Sequence, residues 1–255
     1  MAAAETSVQC DDDFVRKSCT IVVVTSPIES HPSTEMLDRC LASIVSAFPE
    51  LNFCDVVVAC DGVKCVAEMK KPRKRIFGKA DEATIRRYRE FLDTLGGRRW
   101  IVCDRPRENF GDDNSKFPQL EWLGFALTLK RAIDRVTTPS VFVTCHDFEL
   151  LPEALVGVHA RHLIQALLKR DIGLPTMKAH SFALRHAEAL KGLPNLSLED
   201  DSSMVLEPLG MWKDSPHFAR TDVYRNFVFG GQSCVSESPH PESFQHVFKR
   251  GHFVE

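Results

Sequence analysis

The amino-acid sequence predicts an α/β fold, with a Rossmann-type, mostly parallel sheet and helices on both of its faces. Two patterns indicate this fold. Short apolar runs rich in β-branched residues recur along the first 150 residues, and amphipathic segments with helical spacing alternate with them, as in βαβ units. The length of 255 residues suits one large domain with a substantial core.

Four strands are predicted in the first 150 residues, because each is a short apolar run bounded by polar residues. They cover residues 20–26, 55–62 and 99–104 and the start of the segment SVFVTCHDFELL at 140–151. Helical spacing predicts crossovers at 33–48, 81–95 and 119–136, the first capped by Ser33 or Thr34 and the second ended by Gly96 and Gly97.

The regular alternation stops after Leu151. A helix is predicted over 152–170, with Pro152 in its first turn. Residues 171–231 are expected to form short strands and loops, with a last helix near 218–229.

Composition excludes some classes of function. The chain has 32 basic and 35 acidic residues, so no general attraction to nucleic acid or to an anionic membrane is expected. Nine cysteines, an odd number without a C-x-x-C pair, indicate free thiols rather than a disulfide framework. There is no secretory signal pattern and no apolar run of about 18 residues, so we expect a cytoplasmic protein without an integral membrane segment.

Polar residues follow three of the predicted strands, at the edge where ligands bind in open parallel sheets. The first strand ends in Thr25, Ser26 and Pro27, and the second ends in Asp61 and Gly62. The fourth strand is followed by His146, Asp147 and Glu149.

Asp147 and Glu149 are two residues apart, which in extended backbone directs both carboxylates to one side, about 7 Å apart along the chain. Two hard oxygen ligands at this spacing suit Mg²⁺ or Mn²⁺, which takes its other ligands from water and phosphate groups. Equally, the acids could solvate a strand end or cap the helix after Pro152.

The ordered set IVVVTSP (21–27), VVVACDG (56–62), LGFALTLKRAIDRV (123–136) and TPSVFVTCHDFELL (138–151) resembles the nucleotide-sugar glycosyltransferases of the GT-A fold. That family has an apolar strand ending in Thr and Pro, a strand ending in an acid, a helix rich in Ala and Leu, and a strand closing on a D-x-D acid pair. Here HDFE stands in the last place, as a D-x-E variant with His146 where the first acid is usual.

The resemblance implies a GT-A-like domain over residues 19–231, with a donor half at 19–151 and an acceptor half at 152–231. Residues 1–18 would be a flexible tail and residues 232–255 a peripheral one. It also implies transfer of a sugar from a nucleoside-diphosphate sugar to a glycan or other hydroxyl acceptor. The residues implied to contact the donor are Thr25, Pro27, Asp61 and His146, and those implied to hold Mg²⁺ or Mn²⁺ are Asp147 and Glu149.

A second polar cluster lies at 210–225, where Pro216 predicts a helix start. Asp214 is our candidate for the general base that takes the proton of the acceptor hydroxyl. His217 could complete the metal shell or touch the diphosphate, and Arg220 could neutralise its charge. Asp214 could equally be an ordinary helix cap and Arg220 a solvated helix charge, while Glu199 and Asp200 are rival acids.

Two other readings stay open at the level of sequence. A nucleotidyltransferase uses a related sheet and metal, but it requires a basic, glycine-rich loop after the first strand, which TSPIESHPSTE (25–35) lacks. A catalytically inactive nucleotide-sugar-binding or scaffold protein is favoured by His146 in place of an acid.

Overall fold

The fold is known from a computed structural model that describes residues 13–63, 82–98, 101–106, 108–109, 119–120, 123–169, 196–198, 201–206 and 216–229. The strands are β1 (Cys19–Thr25), β2 (Asp55–Cys60), β3 (Ile101–Asp104), β4 (Glu108–Asn109), β5 (Gln119–Leu120), β6 (Ser140–Cys145), β7 (Leu196–Leu198), β8 (Asp201–Leu206) and β9 (His217–Arg220). The helices are α1 (13–18), α2 (Glu35–Ala47), α3 (Glu82–Gly96), α4 (Phe125–Arg135), α5 (Ala160–Lys169) and α6 (Thr221–Val223), the last continuing as a π-helical turn, Tyr224–Val228.

A five-stranded sheet organises the protein, in the order β3-β2-β1-β6-β9. The first four strands are parallel, and β9 pairs antiparallel with β6. The strands at the centre are continuous apolar runs because both faces of the sheet are covered. The predicted α/β fold with a mostly parallel sheet is therefore confirmed.

Helices cover both faces of the sheet. On one face α2, α3 and α5 pack against alternate strand residues such as Ile21 and Val58. On the other face α4 and the helical turns at 221–228 pack against Val22 and Val57. Successive side chains of a strand point to opposite faces of the sheet, so the same strands contribute to the apolar core on each face.

Three predicted helices have different bounds. Helix α4 begins at Phe125 rather than near residue 119, because Gly124 has φ 78° and residues 119–120 pair with β4 instead. The predicted helix at 152–170 is interrupted: a 3₁₀ turn, Pro152–Leu155, and Gly157 with φ 81° precede α5. The last predicted helix begins as strand β9, so Pro216 does not start a helix.

The amino-terminal boundary also differs from the expected tail. Residues 13–18 form α1, and Val15 is buried in the core. No helix in the described part of the chain is both long and apolar enough to span a membrane.

Candidate functional site at the end of the first and sixth strands

The order of the strands reverses at β1, so the carboxyl ends of β1 and β6 form the topological switch point of the sheet, and we call the space beside these two strand ends the crevice. The chain runs outward from β1 through β2 to β3, and then crosses to the other side of β1 to form β6. The helices that follow β1 and β2 lie on one face of the sheet, and α4, which connects β3 to β6, lies on the other. Such a switch of direction at the carboxyl ends of parallel strands is where open α/β sheets bind ligands.

Three buried polar atoms near this crevice have no hydrogen-bond partner among the described residues: Thr25 Oγ1, His31 Nδ1 and His146 Nε2. The residues that carry them are between 1 and 7% exposed. Buried polar atoms are normally paired, because leaving one unpaired costs about 1–3 kcal/mol. These three, among eight such atoms in the described residues, lie at one edge of the sheet, where a polar ligand could pair them.

His146 is held in a defined orientation. Its Nδ1 lies 3.3 Å from the carbonyl oxygen of Val24, and its backbone N–H donates to the same oxygen at 3.0 Å. Since a carbonyl only accepts, the ring proton of the neutral imidazole belongs on Nδ1, which leaves Nε2 as an acceptor. Burial lowers the pKa of His146, while the carboxylate of Asp147 acts to raise it.

His31, in the loop after β1, is a site residue that the sequence analysis missed. Its Nε2 lies 3.3 Å from the carbonyl oxygen of Ser26, and its ring packs against Phe91 and Tyr88 at centroid distances of 4.0 and 5.2 Å. Burial lowers the pKa of His31, with a smaller lowering from His146. Histidine in the polar segment TSPIESHPSTE was the available signal, but it lies six residues beyond the strand.

Asp61 lies at the end of β2, as expected, but its carboxylate is already engaged. Oδ1 accepts the N–H groups of Gly62 at 2.8 Å and Leu123 at 2.9 Å, and Oδ2 accepts that of Gly124 at 3.0 Å. Burial raises the pKa of Asp61, and these N–H groups oppose that rise.

Asp147 and Glu149 do not extend the strand. Strand β6 ends at Cys145, and the N–H of Phe148 donates to the Cys145 carbonyl at 3.1 Å, which closes a turn. The extended spacing expected for the two acids is therefore wrong. The Asp147 side chain is exposed, whereas Glu149 forms an ion pair with Arg39 of α2 at 2.7 Å.

The carboxylates of Asp147 and Glu149 nevertheless lie close to the same thiol, that of Cys40. Both act on the thiol of Cys40 in α2, whose pKa is raised to about 12 by burial first and then by the charges of Asp147 and Glu149. The Cys40 thiol donates to the Cys145 carbonyl at 3.5 Å, so it lies directly beneath the turn. Asp147 thus presents its negative charge at one rim of the crevice, whereas the charge of Glu149 is paired with Arg39.

His217 lies apart from these acids. It faces Val143 across the β6–β9 ladder, is 1% exposed, and its Nε2 lies 2.6 Å from the hydroxyl of Tyr224. Its ring is therefore in the core on the α4 side of the sheet. Within the described ranges, no group of three or more His, Cys, Asp or Glu side chains could hold a metal ion.

Arg220 is placed away from the crevice, contrary to its expected position beside a diphosphate. As part of β9 it pairs with Ser140, at the amino end of β6, which is about 16 Å from Cys145 along an extended strand. Its guanidinium binds the carboxylate of Asp222 through two hydrogen bonds of 3.0 and 2.6 Å. The antiparallel direction of β9 carries Arg220 to the opposite edge of the sheet.

The remaining predicted residues add less. Pro27 is partly exposed, two residues beyond β1. Asp214 and the rival acids Glu199 and Asp200 lie outside the described residues. The structure thus brings Thr25, His146 and Asp147 to one edge, together with Asp61 at the end of the neighbouring strand.

Comparison with protein-family models and with curated proteins found no match. Solved structures similar to this chain include S. aureus TarS 1–349, with 13% identity and a TM-score of 0.43 over 82% of this chain and 48% of that one. The bifunctional IspDF from Campylobacter jejuni shows 10% identity and a TM-score of 0.37 over 91% of this chain and 47% of that one. A CMP:2-keto-3-deoxy-manno-octonic acid synthetase complexed with CTP shows 11% identity and a TM-score of 0.40, over 91% and 84%.

The chain spans about half the length of the first two of these proteins. With TM-scores below 0.5 and such low identities, these likenesses carry no information about the reaction or the ligands of this chain. Its own residues place three unpartnered, buried polar atoms at the switch point of an α/β sheet.

Proposed function

We propose that the protein binds a nucleoside-diphosphate sugar in the crevice between β1 and β6 and transfers the sugar to an acceptor hydroxyl. The observation that carries this proposal is the set of three unpartnered, buried polar atoms at the switch point, on Thr25, His31 and His146. A ligand with several hydroxyl and N–H groups would pair them, as a nucleoside does.

The tautomer of His146 favours the nucleoside part of such a donor, rather than its phosphates, at this position. If His146 donates to Val24, the free Nε2 of its neutral imidazole is an acceptor. Acceptors suit hydroxyl or N–H groups and disfavour the oxygens of a phosphate. Asp61 then acts mainly through the loop that it holds, by fixing Leu123 and Gly124 beside the crevice.

The diphosphate would lie toward Asp147 and Glu149. A Mg²⁺ or Mn²⁺ ion, when bound, would neutralise the departing diphosphate. The exposed carboxylate of Asp147 fits such an ion, provided that phosphate and water supply the remaining ligands. Glu149 would bind the metal only if its ion pair with Arg39 broke. His217 is already hydrogen-bonded to the hydroxyl of Tyr224.

Transfer also requires a base for the acceptor hydroxyl. Asp214 keeps that role in this proposal, because a carboxylate suits proton removal as the anomeric carbon gains oxocarbenium character. The acceptor would bind beside the residues that follow β6, which the sequence assigns to the acceptor half. A glycan hydroxyl is the acceptor class that fits the donor.

The proposal is tested by thermal shift with nucleoside diphosphates and their sugars, with and without Mn²⁺, followed by an assay of nucleotide release. We expect a nucleoside-diphosphate sugar to raise the melting temperature, since a ligand of the folded state stabilises it. The Asp147→Ala variant should lose turnover and keep its melting temperature, because Asp147 is exposed. Glu153→Gln, at an exposed carboxylate in the following 3₁₀ turn, is the matched control and should keep full activity.

Three results would overturn the proposal. Full activity of Asp147→Ala in the presence of metal would remove the role of that carboxylate. Release of pyrophosphate from a nucleoside triphosphate and a sugar phosphate would make the protein a nucleotidyltransferase. Binding of a nucleotide sugar with neither release nor transfer would make it a binding protein.

A further inference from the structure

Two thiols lie side by side on neighbouring strands. The Sγ atoms of Cys60, the last residue of β2, and Cys103, on β3, are 3.7 Å apart. Both cysteines are free, Cys60 is buried, and Cys103 is partly exposed. Strand β3 is at the edge of the five-stranded sheet, so it has more freedom to shift than a central strand.

The two thiols differ in the way that a reactive pair requires. The hydrogen bond with Cys60 lowers the pKa of the Cys103 thiol, and the charge of Arg105 lowers it further against the effect of burial. Burial and the neighbouring Cys103 raise the pKa of Cys60. Cys103 is thus the partly exposed thiol with the lower pKa, and Cys60 is the buried thiol beside it.

We propose that Cys60 and Cys103 are a redox-sensitive pair that closes to a disulfide when the protein meets a hydroperoxide. The Cys103 thiolate attacks the O–O bond, and with uptake of a proton this gives Cys103 sulfenic acid and one molecule of alcohol or water. The Cys60 sulfur then attacks the sulfenic sulfur, and the departing hydroxyl leaves with the Cys60 proton as water. In sum, two thiols lose two electrons and one hydroperoxide is reduced.

Closing this bond would move the ends of β2 and β3 relative to each other. Cys103 pairs with Val58 in the ladder, so Cys60 lies two residues further along, and the bond would cross the strands diagonally. A disulfide requires an S–S distance of about 2.05 Å and close backbones, so the strand ends must shift. A bond strained in this way is readily reduced, as a reversible switch requires.

The shift would reach the crevice through the next residue. Asp61 follows Cys60 directly, and its carboxylate holds the N–H groups of Leu123 and Gly124. Oxidation would therefore weaken ligand binding at the crevice. This consequence rests on the proposed function, whereas formation of the disulfide does not.

The test treats the full chain with a small molar excess of H₂O₂, blocks free thiols with iodoacetamide, and maps the peptides without reduction. We expect a linked Cys60–Cys103 peptide that disappears with dithiothreitol. Cys19 and Cys54 provide an internal control. Burial is the largest cause of the raised pKa of Cys19, and the neighbouring Cys54 thiol is the next. Both residues of this pair are buried, whereas Cys103 is partly exposed. They should stay unlinked.

Alkylated or sulfinic Cys103 without the linked peptide would overturn the proposal, as would linkage that appears only when circular dichroism shows unfolding. In the Cys60→Ser variant, Cys103 should oxidise to sulfinic acid instead of forming a disulfide. If that variant does not fold, the map of the unaltered protein still decides. Nucleotide-induced thermal shifts, measured before and after oxidation, test the coupling separately, so the absence of any nucleotide binding leaves the result on the disulfide intact.

Discussion

Asp61 and Gly124 are joined across 63 residues of chain by a hydrogen bond of 3.0 Å from the Gly124 N–H to Oδ2 of Asp61. Gly124 has φ 78° and stands at the amino end of α4, so the carboxylate fixes the point at which this helix begins. The bond ties the end of β2 to the helix that covers the other face of the sheet.

The Asp61→Asn variant is expected to lose about 2–3 kcal/mol of unfolding free energy. The amide removes the charge, and its NH₂ group would face the N–H of Gly124 or Leu123 as a second donor. Urea denaturation measures the loss. Asp55→Asn, at an exposed residue at the start of the same strand, is the control and should change stability by less than about 0.5 kcal/mol.

Arg39 competes with a metal ion for Glu149 under the proposed function. The 2.7 Å ion pair is on the surface, so it is worth up to about 1 kcal/mol. Arg39→Gln should therefore lower the Mn²⁺ concentration that gives half of the nucleotide-dependent thermal shift, by up to about fivefold. Arg86→Gln removes the same charge from the exposed face of α3 and should change nothing. A higher metal requirement in Arg39→Gln would contradict the competition.

Tyr224→Phe tests the buried pair of Tyr224 and His217. The change removes a hydroxyl that lies 2.6 Å from the His217 ring nitrogen in a core site, with little change in volume. We expect a loss of about 1–3 kcal/mol of unfolding free energy, measured by denaturation, and unchanged metal dependence. A loss of metal affinity in this variant would instead indicate that His217 is a metal ligand.

The lowered pKa of His31 should make the free energy of unfolding depend on pH. Burial lowers its pKa in the folded protein, so the unfolded chain takes up a proton first as the pH falls below about 6.5. Stability should therefore fall between about pH 6.5 and the lowered folded pKa, by up to about 1.4 kcal/mol per pH unit from this group. His31→Asn should be less stable at neutral pH but lose less on acidification, as measured by urea denaturation at several pH values. An equal slope in both proteins would contradict this.

The central strands could be predicted to within two residues because a strand buried on both faces leaves a continuous apolar run in the sequence. Strand β9 could not, since four residues carry little periodicity and Pro216 resembles a helix start. The true starts of α4 and α5 depend on positive φ at Gly124 and Gly157, which residue spacing does not reveal.

The candidate site could be predicted in part for a related reason. Residues that follow parallel strands reach one edge whatever their identity, so Thr25, Asp61 and His146 could be located from sequence. Their partners could not, because each comes from a distant segment. Glu149 meets Arg39 and Asp61 meets Leu123, and neither pairing has a local signature.

The position of β1 at the centre of the sheet has a consequence for how the chain folds. Its register pairs Thr20 with Asp55 on one side and with Val141 on the other, so the second pairing closes a loop of about 120 residues. Loop closure over that distance is slow, and during synthesis it must wait until β6 leaves the ribosome. A nascent chain that stops before residue 140 would have β1 with an unpaired side, exposed to the chaperones that recognise such edges.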